Sequence, residues 1–161
     1  MRELILLRHA HAEPVASGQS DGDRPLSPEG RAEAEAAGRW LAAQGLVPDR
    51  TLCSPSVRTR QTLAAALASF PDQSDVDERF DDAIYDASAG TLAEILDGHR
   101  DAERLLLVGH NPGLEHLAAL MHSGQSGDFR GMPPGGIAVL RLPADAAIEP
   151  GIATLSAFWW P

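Results

Sequence analysis

Two short apolar runs organise this chain. Leu4-Ile5-Leu6-Leu7 ends at Arg8-His9, and Leu105-Leu106-Leu107-Val108 ends at Gly109-His110-Asn111. Unbroken apolar runs of this length read as strands covered on both faces, as in a parallel sheet. Residues 2–8 form the first predicted strand, and 10–26 follow as a polar loop rich in Gly, Ser and Asp. Ser27-Pro28-Glu29 has the marks of a helix start: a serine cap, proline at the first helical position, then an acid. That helix is predicted to run to about Gln44, with Ala32, Ala36, Trp40 and Leu41 at helical spacing and Gly45 as its stop. A strand is predicted at 50–53, broken by Ser54-Pro55, and a helix at 56–69 with Leu63, Leu67 and Phe70 facing inward.

Residues 71–90 are acidic and weakly patterned, with a short strand predicted at Val76. A helix at 91–99 carries Leu92, Ile95 and Leu96, and a strand follows at 104–109. Pro112 opens a helix over 112–122 with Leu114, Leu117, Ala118 and Met121. A Gly/Pro-rich loop at 123–136 leads to strands at 137–142 and 152–158. Alternating strands and helices predict an α/β fold, a three-layer α/β/α sandwich with a mainly parallel central sheet. The last two strands have no helix between them and are expected to pair antiparallel at an edge.

Length and composition narrow the function. A chain of 161 residues suits one domain with a full core. No apolar stretch approaches the roughly 18 residues of a membrane span, and the N-terminus lacks a signal-peptide pattern. The single cysteine, Cys53, excludes an intrachain disulfide and is read as a small buried apolar residue, with the cytoplasm the expected compartment. A net charge of −10 argues against nucleic acid and anionic membrane as partners.

Against that acidic background the cations at the strand exits stand out. Arg8 and His9 follow the first strand. Arg58 lies near the start of the helix that follows the second, and His110 and Asn111 follow the third. The exits of parallel strands are where α/β proteins bind ligands. Two imidazoles and several guanidiniums there describe an anion-binding, phosphoryl-handling site.

These residues carry a family resemblance. Leu6-Leu7-Arg8-His9-Ala10, Ser54-Pro55 with Arg58 and Gln61-Thr62, and Gly109-His110-Asn111-Pro112-Gly113 together resemble the histidine phosphatase superfamily, which includes the phosphoglycerate mutases. Arg24-Pro25-Leu26-Ser27-Pro28-Glu29-Gly30 is similar to the family's loop into its first helix. The resemblance spans residues 3 to about 120 in the right order. The short chain and the Gly-His-Asn-Pro-Gly segment look most like the SixA-type phosphohistidine phosphatase branch.

The resemblance implies a phosphoglycerate mutase-like fold and a metal-independent phosphatase needing no cofactor. His9 would be the nucleophile, forming a phosphohistidine intermediate. Arg8, Arg58 and His110 would hold the phosphoryl oxygens. Family members often use a glutamate as acid; Phe80-Asp81-Asp82 stands at that place, making Asp82 the candidate, with Tyr85 nearby. Asn111 is a candidate substrate contact, and Arg24 reads either as a substrate contact or as a fixer of the 10–26 loop. The mutase pattern is broken at Ala12 and Val15, and the interval from Thr62 to His110 leaves little material for a lid.

The expected substrate is therefore phosphohistidine on a protein, with phosphate or another oxyanion in the pocket. A small phosphomonoester is the alternative within the family, and a non-catalytic phosphoprotein-binding module the alternative outside it. A metal site built from His9, His11 and His110 is a weaker reading, because Arg8 would repel a cation. His99, His116 and His122 lie in or beside helices and are assigned no chemistry.

Overall fold

The computed structural model describes residues 1–72 and 75–161. Gln73 and Ser74, within the stretch read as weakly patterned, lie outside the described residues. Among the described residues, six strands form one sheet: β1 (Glu3–Arg8), β2 (Arg50–Cys53), β3 (Asp77–Phe80), β4 (Arg104–Gly109), β5 (Ile137–Arg141) and β6 (Thr154–Trp159). Four α-helices accompany them: α1 (Pro28–Ala43), α2 (Val57–Leu67), α3 (Ala89–Asp97) and α4 (Gly113–Ser123). The strand order is β3-β2-β4-β1-β5-β6. The first four of these strands are parallel, while β5 runs antiparallel to both β1 and β6. The predicted α/β sandwich and the antiparallel last pair are both present. Among the described residues, no helix is long and apolar enough to cross a membrane.

The apolar runs are continuous because both faces of the sheet are covered. Leu4, Leu6, Leu105 and Leu107 pack with Leu92 and Leu96 of α3 and Leu114, Leu117 and Met121 of α4. Ile5, Leu7, Leu106 and Val108 point the other way, onto Ala37 and Leu41 of α1 and Leu63 and Leu67 of α2. Alternate side chains of one strand thus serve opposite layers.

This covering fixes where a ligand can sit. Strands β1 and β4 are neighbours paired from Glu3↔Arg104 to Arg8↔Gly109. The helix following β1 lies on one face and the helix following β4 on the other. The chain therefore leaves the two strand ends in opposite directions and opens a crevice between them. His9 and His110 stand at that crevice.

Local signals set the helix starts. Ser27, Ser56 and Ser88 each accept a hydrogen bond from the backbone N–H three residues on. The Ser88 cap starts α3 two residues before the predicted helix. The short strand expected at Val76 begins at Asp77. The inward face of α1 also differs from expectation: Ala34, Ala37, Gly38 and Leu41 are buried, whereas Ala32 is exposed. Small residues win that face because α2 approaches closely, so that a Cβ on Gly38 would lie 2.3 Å from the Ala66 carbonyl oxygen. Cys53 is fully buried, and burial pushes its thiol up to about 12.

Candidate active site

The strand exits bring His9 and His110 to ring centroids 5.3 Å apart. His9 Nδ1 lies 2.8 Å from the Ala10 carbonyl oxygen. A carbonyl oxygen only accepts, so Nδ1 carries the proton and Nε2 the lone pair. Burial, chiefly, and then the nearby Arg58, Arg8 and Arg24 charges bring the His9 imidazole down to about 4. The ring is therefore neutral at pH 7 with Nε2 available.

His110 is fixed by two partners. Its Nε2 is 2.8 Å from Ser54 Oγ, and its Nδ1 is 3.4 Å from Arg58 Nη2. A guanidinium only donates, so Nδ1 accepts and Nε2–H donates to Ser54. Burial and then the His9 and Arg58 charges bring His110 down to about 3. For Nδ1 to donate to an oxyanion instead, the neutral ring need only change tautomer, Nε2 then accepting from the Ser54 hydroxyl, which can donate as well as accept.

Arg58, on the first turn of α2, is almost wholly buried. It donates from Nη1 to the Asp21 carbonyl oxygen at 2.8 Å and from Nη2 to Asp21 Oδ2 at 3.0 Å. Arg8 donates from Nη1 to the Met132 carbonyl oxygen at 2.8 Å. Among the described residues, the buried Nε donors of both Arg8 and Arg58 have no acceptor. Buried donors are rarely left unpaired, since each costs about 1–3 kcal/mol. Two guanidinium charges close to one neutral imidazole suit an oxyanion.

Asp21 is the site residue that the sequence did not reveal. It lies in a 3-10 turn, Asp21–Asp23, inside the long polar loop. Its carboxylate accepts from the Tyr85 hydroxyl, from Arg24 Nη1 at 3.0 Å and from Arg58 Nη2. These donors, Tyr85 foremost, hold it well below the usual carboxylate range, and the same bond raises the Tyr85 phenol. Tyr85 lays its ring edge-on to His110 at 5.2 Å. Serine, glycine and aspartate crowd this loop, and nothing in the sequence singles out Asp21 from Asp23.

The other candidates are placed as follows. Arg24 donates from Nε to the Glu13 carbonyl oxygen at 2.8 Å as well as to Asp21, so it braces the 10–26 loop while adding its charge to the field on His9. Asn111 spends both amide hydrogens, on Glu115 Oε2 at 3.1 Å and on the Met132 carbonyl oxygen at 2.9 Å. It brackets the 130–133 segment to α4 rather than offering its amide to the crevice. Asp82 is exposed at the start of the 3-10 turn Asp82–Ile84, and among the described residues its carboxylate bonds to neither histidine. That turn carries Tyr85, not Asp82, to His110. His11 turns its Nδ1 to Ser27 Oγ at 2.8 Å.

The fold is an α/β fold that gathers two histidines, His9 and His110, and two arginines, Arg8 and Arg58, at a switch point of its sheet. The profile of the histidine phosphatase superfamily (branch 1) matches residues 4–120, and the chain belongs to that family. An uncharacterised protein of Mycobacterium tuberculosis is 37% identical, over 96% of this chain and 99% of its own length. Among solved structures, a candidate SixA phosphohistidine phosphatase from Agrobacterium tumefaciens superposes with a TM-score of 0.84 at 31% identity, covering 99% of this chain and 98% of that one. A second candidate SixA protein, from Nakamurella, gives 0.83 at 31%, covering 99% and 96%. The family and fold expected from the sequence are thus both found.

Proposed function

We propose that the protein is a metal-independent phosphohistidine phosphatase, removing phosphoryl groups from histidine on a protein through a phosphohistidine at His9. His9 Nε2 attacks phosphorus, the P–N bond to the substrate imidazole breaks, and its electron pair leaves with that ring. Arg8, Arg58 and His110, in the neutral tautomer that donates from Nδ1, hold the three phosphoryl oxygens. Water then attacks the phosphorylated His9. Electrons return to Nε2 while Nδ1 keeps its proton on Ala10, and the proton lost by water leaves with inorganic phosphate.

The observation that carries the reading is a ready nucleophile beside a carboxylate, Asp21, that is held ionised. Among the described residues, Asp21 is the carboxylate bonded to the cationic cluster, and its three donors keep it ionised. An alkyl phosphomonoester needs a proton delivered to its leaving oxygen. A phosphohistidine does not, because the distal nitrogen of its ring is protonated near neutral pH. The first step is then an exchange of one P–N bond for another. The SixA likeness of the structural relatives favours the same substrate class.

The test is hydrolysis of a phosphorylated histidine phosphotransfer domain beside p-nitrophenyl phosphate, with kcat/KM measured for both. The reading expects at least a hundredfold preference for the phosphohistidine. Preference for the ester would move the protein to the small phosphomonoesterases. Phosphate-competed binding with no turnover of either would make it a binding module.

A further inference from the structure

Beside the anion centre lies a cleft of about 300 Å³ whose lining includes Tyr85, Asp86, Ser88, His110, Pro112 and His116. It shares His110 with the site described above, so anything seated in it lies next to the phosphoryl position. Its walls are flat rings. Its floor is tight, since a Cβ on Gly113 would come 2.5 Å from the Ala87 carbonyl oxygen. Most of its polar groups are spent: the Tyr85 hydroxyl on Asp21, the Asn111 amide on Glu115 and Met132, the Ser88 hydroxyl on Thr91. Asp86 is different. It is exposed and, among the described residues, its carboxylate has no hydrogen-bond or ion-pair partner. A carboxylate without such a partner thus borders a slot, lined also by the rings of Tyr85, His110 and His116, of a size that suits a small ligand.

We propose that this slot seats the leaving group of the reaction, a flat imidazole ring, and that Asp86 holds the proton on that ring's distal nitrogen. The inference rests on the phosphohistidine reading and specifies where its leaving group goes. The protonated distal nitrogen makes the departing ring a neutral imidazole once the P–N electron pair returns to it. A carboxylate beside that nitrogen keeps the reactive, protonated substrate populated at higher pH. The same carboxylate repels leaving groups that carry their own carboxylate, such as a phosphorylated hydroxy acid. His116 supplies a wall of the slot, a role its place on α4 did not suggest.

Two measurements on the full chain test this. In the first, Asp86→Asn is compared with the unsubstituted protein on phosphoimidazole and p-nitrophenyl phosphate over pH 5–9. The ratio of kcat/KM for the two substrates should fall at least tenfold at pH 8, and the alkaline limb for phosphoimidazole should move to lower pH. A general loosening of the site would lower both rates together and leave the limb in place, which overturns the proposal. In the second, imidazole alone is titrated into the protein and followed by backbone amide resonances. Shifts centred on Ala87, Gly113 and His116, weakened in Asp86→Asn, are expected; shifts elsewhere or none overturn it. Should the unsubstituted protein leave phosphoimidazole intact, the proposed activity falls, and the imidazole titration alone decides the slot.

Discussion

The 2.8 Å bond from His9 Nδ1 to the Ala10 carbonyl oxygen decides which nitrogen of the ring carries the free lone pair. It leaves Nε2 bare, and burial with the surrounding guanidiniums keeps the ring neutral down to about pH 4. The acid limb of kcat/KM should therefore lie near pH 4, well below the ordinary imidazole value of about 6.5. A limb near 6.5 would show that His9 is more solvated than the structure has it.

The same shifts bear on stability. Both histidines titrate lower in the folded chain, His9 at about 4 and His110 at about 3. Between these values and about 6.5 the unfolded chain binds more protons than the folded one. Stability is thus full above pH 6.5 and declines as pH falls through the folded values. Tungstate or phosphate should raise both imidazoles and offset part of that loss. Thermal melts from pH 7 to 4, with and without tungstate, would record this as a ligand-induced gain in Tm that grows towards acid.

Arg58 holds Asp21 through Nη1 and Nη2 and places Nη2 3.4 Å from His110 Nδ1. Arg58→Ala should lower kcat/KM by about a hundredfold or more, the cost of one oxyanion donor. Arg58→Lys should recover little, because an ammonium lacks the planar fork. Steady-state kinetics with a phosphohistidine substrate would measure both, and near-complete recovery by lysine would reduce Arg58 to a bare charge.

Asp21 and Asp82 separate what the structure joins to the site from what sequence position alone nominates. Asp21→Asn weakens the anchor of Arg58 and Tyr85 and should reduce kcat/KM at least fivefold more than Asp82→Asn. The reverse order would restore Asp82 as the working acid.

Two glycines at close backbone approaches should behave differently. Gly38→Ala would set its Cβ 2.3 Å from the Ala66 carbonyl oxygen, between α1 and α2. It should destabilise the fold by about 1–3 kcal/mol through overpacking, with kcat/KM retained where the protein is folded. Gly113→Ala would meet the Ala87 carbonyl oxygen at 2.5 Å and push the segment that carries Tyr85. It should lower kcat/KM as well as stability. Denaturation and kinetics on the two variants together check the contrast.

Much of this was legible in the residues. The apolar runs into Arg8-His9 and Gly109-His110 showed both the buried strands and the strand ends that meet at one crevice, because continuous burial and cationic exits are local signals. Strand β3 was not legible in the same way. Asp77-Glu78-Arg79-Phe80 is largely exposed and is a strand only because Arg50–Cys53 offers it a free edge. Asp21 escaped for a similar reason: its partners are far along the chain, 37 residues to Arg58 and 64 to Tyr85. Asp82 was chosen by its place after Phe80, but the 3-10 turn that follows presents Tyr85 to His110 instead.

The central claim is that phosphorus is carried by His9 Nε2. The most direct measurement is rapid quench in base after mixing with a phosphorylated histidine phosphotransfer domain, followed by peptide mass spectrometry and 31P NMR. The account predicts a base-stable, acid-labile phosphate on His9, attached at Nε2, formed and lost at rates consistent with turnover and absent in His9→Ala, which should be inactive. Phosphate release at full rate with no label on His9, or an active His9→Ala variant, would contradict it.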